Sequence, residues 1–198
     1  MEAPSLRRTR LRRCFAPLRR FRAPPRSVRS RSRRVSQVAV PPVEDPKAYR
    51  QALGAFATGV CVVTADTPSG PVGITVNSFT SVSLQPRLVL WCLDERSERA
   101  PLFAAAERYV IQVLEAEQRD AAARFAKGDW ALTEPEVRRV AGAPRLADSL
   151  AWFACEAERQ IHAGDHLIII GRVVAYGAAP GEGLTFHRGR FGVTETGA

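Results

Sequence analysis

Methionine and lysine are almost missing from this 198-residue sequence: Met1 is the only methionine, and Lys47 and Lys127 are the only lysines, against 27 arginines. That bias is the mark of a GC-rich genome, and a start later than Met1 would need a non-AUG codon, for example at Val35, Val38 or Val40. The four cysteines, Cys14, Cys61, Cys92 and Cys155, stand far apart. With no C-x-x-C pair and no His–Cys cluster, neither a zinc site nor a dithiol motif is expected. Histidine is scarce too, and a three-histidine metal site would consume His162, His166 and His187 together, so no metal is expected. No run of about 18 apolar residues is present to span a membrane, and no continuous apolar core marks a secretory signal. These absences lead to the expectation of a reduced cytoplasmic protein. Also absent are G-x-G-x-x-G after a strand, G-x-x-x-x-G-K-[ST] and G-x-S-x-G, which leaves no Rossmann, P-loop or nucleophile-elbow signature.

What the sequence does hold is unevenly spread. Residues 1 to 40 carry 13 arginines against one acid, Glu2, whereas residues 41 to 198 carry 16 Lys plus Arg against 19 Asp plus Glu. The expected division is therefore an Arg-rich N-terminal arm, residues 1–42, and one domain, residues 43–198. Self-repulsion and low apolar content predict a disordered arm. Three readings of it compete: a transit peptide, an anchor for nucleic acid or an anionic membrane, and an extension without function.

Within the domain, Asp45, Pro46 and the spacing of Tyr49, Leu53 and Phe56 predict a helix that Gly59 ends. "VCVVTA" and "PVGITV" around "DTPSG" read as a hairpin. "RLVLWCL", apolar on both faces, reads as a central strand, and "YVIQVL" as another. "ERAPLFAAAERY" predicts a short helix and "EAEQRDAAARFAKG" an amphipathic helix closed by Gly128. Residues 129 to 149 carry loop signals and one helical turn around Glu134 to Arg139. "LAWFACEAERQIHA" and "LIIIGRVVAY" meet across Gly164-Asp165 as a second hairpin, and "LTFHRGRFG" adds a short strand. Strands joined mainly by hairpins predict a mainly β protein, an antiparallel split β-barrel of Greek-key type with a few flanking helices.

The stretch "GITVNSFTSVS" sets five hydroxyl residues, Thr75, Ser78, Thr80, Ser81 and Ser83, and Asn77 beside one aromatic, Phe79. Hydroxyls and backbone N–H groups in an irregular turn suit a phosphate. Ser and Thr at strand ends also bond their own backbone, and spacing alone favours that plainer account. His166 after the Gly-Asp turn is either the first residue of a strand or a donor to a ligand across the barrel rim. "HRGRFG" groups His187, Arg188 and Arg190, as a solvated strand or an anion contact.

Three segments in this order, "FATGVCVVT", "GITVNSFTSVSLQPRLVLWCLD" and "AGDHLIIIGRV", resemble the flavin reductase-like family with an FMN-binding split barrel. That family includes reductase components of two-component flavin-dependent monooxygenases. The likeness spans roughly residues 45 to 193 and none of the arm. It implies hydride transfer from NADH or NADPH to FMN or FAD, a homodimer, and a monooxygenase partner that receives reduced flavin. Carried onto this sequence, the resemblance gives Thr75, Val76, Asn77, Ser78, Ser81 and Ser83 to the flavin, with Cys92 and Leu93 close by. Ser97 would reach a phosphate, and Thr58, Gly59, Gly128 and Asp129 would shape the pocket. Gly164, Asp165 and His166 match the motif on the nicotinamide side, with His166 orienting the reaction, and His187 and Arg190 become pyridine-nucleotide contacts. Glu98 and Arg99 depart from the more basic or hydroxyl pair expected after the serine, and residues 129 to 144 do not match the usual aromatic-rich loop. A second reading stays open, a non-catalytic cofactor-binding barrel whose arm binds nucleic acid.

Overall fold

The structure, a computed structural model, describes residues 44 to 194. The arm and the boundary expected at residue 42 lie outside the described residues. The domain opens with helix α1 (Pro46–Leu53), capped by the Asp45 carboxylate, which accepts from the amides of Lys47 at 2.9 Å and Ala48 at 3.1 Å. The helix stops at Gly54 and not at Gly59, because Gly59 belongs to a two-residue strand, β1 (Thr58–Gly59). Tyr49, Leu53 and Phe56, whose spacing predicted the helix, remain exposed.

The hairpin β2 (Cys61–Thr67) and β3 (Gly70–Val76) follows as expected. The hydroxyl-rich stretch then runs through residues 77 to 79 into a strand, β4 (Thr80–Leu84), which turns back into β5 (Arg87–Asp94). Helix α2 (Ala100–Ala104), strand β6 (Arg108–Val113) and helix α3 (Arg119–Lys127) come next. Gly128 ends α3 at φ 108°, a left-handed position that glycine alone adopts freely. The segment read as a loop with a helical turn is a hairpin, β7 (Val137–Val140) and β8 (Ala143–Leu146). The long hairpin β9 (Ala151–Ala163) and β10 (His166–Ala178) meets the expectation, and the C-terminal stretch forms a pair, β11 (Leu184–His187) and β12 (Arg190–Val193).

Seven strands form one antiparallel sheet in the order β3-β2-β6-β9-β10-β5-β4. Its edge strands, β3 and β4, are joined by only three residues, 77 to 79. A flat seven-stranded sheet would set its edges about 29 Å apart at the usual strand spacing. The connection spans at most about 14 Å. The sheet must therefore curl into a barrel, and because β3 and β4 share no ladder, the barrel is split along that seam. The β9–β10 hairpin sits between β5 and β6, which are consecutive in the chain, and this crossover gives the Greek-key character.

Alternate residues of the sheet fill the barrel: Val63, Ala65, Ile74, Trp91, Leu93, Tyr109, Ile111 and Ile169, closed at one end by Phe103 of α2. Strand β2 is buried on both faces, since Val62 and Thr64, with Val60 just before the strand, lie under an outer layer. Part of that layer is α3 with Phe125 and β11 with Leu184. The rest is the β7–β8 hairpin, fastened by a buried polar pair. The Gln112 amide donates to Thr64 Oγ1 at 2.9 Å and its carbonyl accepts from the Leu146 amide, while Thr64 Oγ1 donates to Pro144 O at 2.6 Å. Each polar atom is matched, which is what makes such burial tolerable. Strand β5 is central by its hydrogen bonds, but only one of its faces is fully buried; Leu88, Leu90 and Cys92 on the other are half-buried.

Candidate active site

The seam is held at one point by a serine. Ser78 Oγ accepts from the Cys92 amide at 2.9 Å and donates to Cys92 O at 3.2 Å. Strand β4 pairs with β5 only as far as Leu90, so Ser78 replaces the ladder where it stops. Beside it, Phe79 stacks on Phe153 at 5.4 Å between ring centroids and packs against the core. The stretch is therefore both a strand end and one wall of a cleft. That cleft, of about 990 Å³, is lined by Asn77, Ser78, Phe79 and Thr80, by Thr58 and Gly59 of β1, by Arg50, Leu53 and Phe56 from α1 and its exit, and by Phe186 and Arg188.

The residues expected at the site do not all come together. Thr58, Gly59, Asn77 and Ser78 share the cleft, and Cys92 is tied to it by the serine. Leu93 and Val76 point their side chains into the barrel core, so only their backbone is available to a ligand. Thr75 faces α3, where its hydroxyl donates to Ala122 O at 2.8 Å. Near that helix, Gly128 closes α3 and Asp129 pairs with Arg124 at 3.2 Å. Ser81 and Ser83 continue along β4, past an irregularity in register, and Ser83 Oγ accepts from the Gln85 amide at 3.2 Å.

Ser97 lies in the turn after β5, where its hydroxyl accepts from the Arg99 amide at 3.3 Å. The departure noted at Arg99 has a structural explanation. Its guanidinium donates to Gly73 O and Phe125 O and lies over the Trp130 ring at 5.5 Å, so it braces α3 and the loop after it against β3.

Gly164, Asp165 and His166 form the β9–β10 turn and its exit, with His166 paired across from Asp94 at the end of β5. They do not line the cleft; Asp94 stands two residues beyond the clipped Cys92. His166 Nδ1 is 2.7 Å from Asp165 Oδ1, which leaves Nε2 as the ring nitrogen free to meet a ligand. Arg96 binds Asp94 through two contacts, at 2.9 and 3.0 Å, and reaches Asp165 at 3.1 Å. The hydrogen bond from His166 and the charge of Arg96 hold the Asp165 carboxyl below its usual range, and Arg96 holds Asp94 down to about 2. Both therefore stay ionised and fix the turn.

His187 and Arg190 flank the β11–β12 turn and line an adjoining cleft of about 450 Å³. Arg50 and Phe186 went unrecognised as cleft residues. They come from opposite ends of the domain sequence, and no local pattern brings them together. Phe186 reaches the cleft because β11 pairs with β1, Thr58 opposite Phe186.

The site offers no activated nucleophile. Burial pushes the thiols of Cys61 and Cys155 up to about 12, and that of Cys92 also rises through burial despite its hydrogen bond to Ser78. Among the described residues no group of three or more His, Cys, Asp or Glu side chains could hold a metal ion. No described helix is long and apolar enough to cross a membrane. What the arrangement can do is hold a flat, partly apolar molecule with polar and anionic parts.

Known proteins resemble this chain over most of its length. The family model described as "Flavin reductase like domain" matches residues 53–195. The FMN reductase (NADH) SmoA of Agrobacterium fabrum is 44% identical over 162 residues, covering 78% of this chain and 90% of its own. The solved styrene monooxygenase flavin reductase of Pseudomonas putida S12 is 35% identical with a TM-score of 0.68, covering 76% of this chain and 99% of its own. The Streptomyces globisporus NADH:FAD oxidoreductase SgcE6, solved with NAD and FAD fragments, is 36% identical with a TM-score of 0.71, covering 81% and 99%. Some relatives are longer: the chain spans 49% of a probable flavin reductase of Rhizobium meliloti.

Proposed function

The chain belongs to the flavin reductase like family, and from that premise we propose that it is an NADH-dependent flavin reductase that delivers reduced FMN or FAD to a partner monooxygenase. The observation that carries the reading is the open seam, where a single hydroxyl clip stands in for a ladder and the cleft beside it presents Asn77, Thr58 and apolar rings. The relatives add the cofactors, since their names specify NADH with FMN or FAD, and one is the reductase of a styrene monooxygenase.

The residues fit a flavin in a particular way. Phe79, Phe56 and Phe186 offer apolar contact for a ring system, and Asn77 and the backbone of the seam offer polar partners. The Ser78 hydroxyl has its proton engaged by Cys92 O, so the seam's contacts come chiefly from Asn77 and from backbone. Bound there, the flavin supplies the hydride acceptor for the nicotinamide. The protein's share of the work is to bind and align the two partners and to keep water from the gap between them. No general acid or base is needed for the hydride itself, in keeping with buried, protonated thiols and a histidine held by an ionised Asp165. His166 acts through its free Nε2, orienting the nicotinamide carrier. His166→Ala is expected to lower the steady-state rate of NADH oxidation while flavin affinity, measured by fluorescence titration, changes little. An unchanged rate would remove His166 from the site.

The chain acts as a homodimer in this proposal. Support comes from apolar side chains left uncovered along one edge strand and the long hairpin: Val82, Leu84 at 91% exposure, Ile161, Val174 and Tyr176. A monomer of the expected mass by sedimentation would contradict it. Cytoplasmic location is part of the same reading, since free thiols at Cys61, Cys92 and Cys155 suit a reducing compartment. The alternative of a cofactor-sensing barrel with a nucleic-acid arm rests on residues outside the described ones and gains no support from the family match.

A further inference from the structure

Five basic side chains gather at one corner of a domain that is otherwise slightly acidic. Lys47 and Arg50 come from α1, and His187, Arg188 and Arg190 from the β11–β12 turn. The two elements are joined where the Arg188 amide donates to Gly54 O at 2.9 Å. Among the described residues no carboxylate pairs with any of the five. Five arginines elsewhere, Arg96, Arg108, Arg124, Arg139 and Arg172, each hold a carboxylate, and Arg99, Arg138 and Arg145 are engaged by backbone carbonyls. What sets this corner apart is that its basic groups are clustered. Unmatched like charges repel one another, so grouping them is unfavourable for the protein alone and favourable once an anion arrives.

Two of the five sit in a special place. Arg50 and Arg188 line the main cleft and also a second cleft of about 420 Å³, whose other walls include Lys47, Gln51, Gly54 and Gly189. They form the partition between the two. One side of it holds the seam residues Asn77 and Ser78, and the other is basic. Arg188 is also one of two non-glycine residues with positive φ among those described, at 50°, followed by Gly189 at 78°. A two-residue hairpin turn of this kind favours Asn-Gly or Asp-Gly, because a side chain with a long stem gains nothing from left-handed backbone. The other such turn, Ala141-Gly142, carries no charge. At 188 the strained position projects an arginine into the cleft.

We propose that Arg50 and Arg188 bind the pyrophosphate of a dinucleotide that lies across both clefts, with its redox-active ring at the seam and its adenosine half in the basic cleft. The proposal rests on the flavin reductase reading for which ring lies at the seam, but not for the anion itself. Two guanidinium groups that share the walls of both clefts suit paired phosphates better than one, since each can present a fork of N–H donors. FAD and NADH both carry that group and FMN does not, so the shared chemistry is the pyrophosphate.

The test is equilibrium binding to the full chain without turnover. FAD and FMN are titrated by flavin fluorescence, and ADP-ribose, the non-redox half of NADH, by calorimetry. The variants are R50Q and R188N; asparagine tolerates the left-handed backbone, so R188N removes the charge without breaking the turn. Each is expected to weaken FAD or ADP-ribose by about tenfold, in line with loss of a charge-assisted contact, and FMN by less than about twofold. R188K should recover part of the loss. A loss confined to FAD assigns the pyrophosphate to the flavin, and one confined to ADP-ribose assigns it to the nicotinamide dinucleotide. Equal loss for FMN and FAD, or unchanged affinity for both FAD and ADP-ribose, overturns the proposal. Because binding is read without turnover, this result stands apart from the reductase reading, whose failure would show in a separate assay of NADH oxidation by the same wild-type protein.

Discussion

Replacing Ser78 by alanine separates two roles that one hydroxyl could play at the seam. In the structure Ser78 Oγ is engaged twice with the backbone of Cys92, accepting at 2.9 Å and donating at 3.2 Å. The alanine variant removes both bonds and leaves the Cys92 amide without its partner where β4 no longer reaches. An orphaned buried amide costs about 1–3 kcal/mol, and Cys92 is only half-buried, so a loss of about 1.5 kcal/mol is expected. For a domain of this size that lowers Tm by roughly 3–6 °C. Flavin affinity should fall by less than about threefold, because the hydroxyl proton is not free to serve a ligand and only the set of the 77–79 segment is disturbed. Thermal unfolding and fluorescence titration of the same samples read both quantities. An unchanged Tm together with a tenfold or greater loss of flavin affinity would refute the assignment of Ser78 as a clip.

Two further outcomes follow from the packing and charge of the outer layer. Gln112→Leu keeps the volume but strands the buried amide of Leu146 and the partners of the Gln112 amide group; a loss of about 2 kcal/mol in urea unfolding is expected, and unchanged stability would remove the network from the account. Glu136 is held down to about 2, first by the hydrogen bond from Arg124, from an ordinary value of 4.5. A depressed carboxylate contributes stability that is complete above pH 4.5 and is lost as pH falls through about 2. Glu136→Gln should therefore flatten the acid limb of the stability profile over that interval and leave its neutral slope alone; an unaltered acid limb would contradict the pairing.

Much of the barrel was legible because its strands alternate and its hairpins carry turn residues. Gly164-Asp165 between two long β-rich runs fixed β9 and β10 together, and Gly128 closed α3 as its left-handed backbone requires. The β7–β8 hairpin was not legible: "VRRV" and "APRL" are short and half-polar, and they are strands because Gln112 and Thr64, on other strands, supply buried partners. Helix α1 was found by spacing, yet its apolar face does not enter the core, since amphipathic period reports a face and not what covers it. The site divides along the same line. Local motifs pointed to the seam and to the Gly-Asp-His turn, whereas Phe186 joins the cleft through the pairing of β1 with β11 and Arg50 through α1, whose end is bonded to the β11–β12 turn at Gly54, and no local pattern records either.

The reaction assigned to this chain is the passage of hydride from a reduced nicotinamide to a flavin. Anaerobic single-turnover mixing of the full chain with flavin and NADH, compared with NADH deuterated at the transferred position, tests it most directly. Oxidised FMN or FAD is expected to bleach in a reaction that requires the protein and slows with deuterium. Absence of bleaching with FMN, FAD and riboflavin, using either NADH or NADPH, would contradict it.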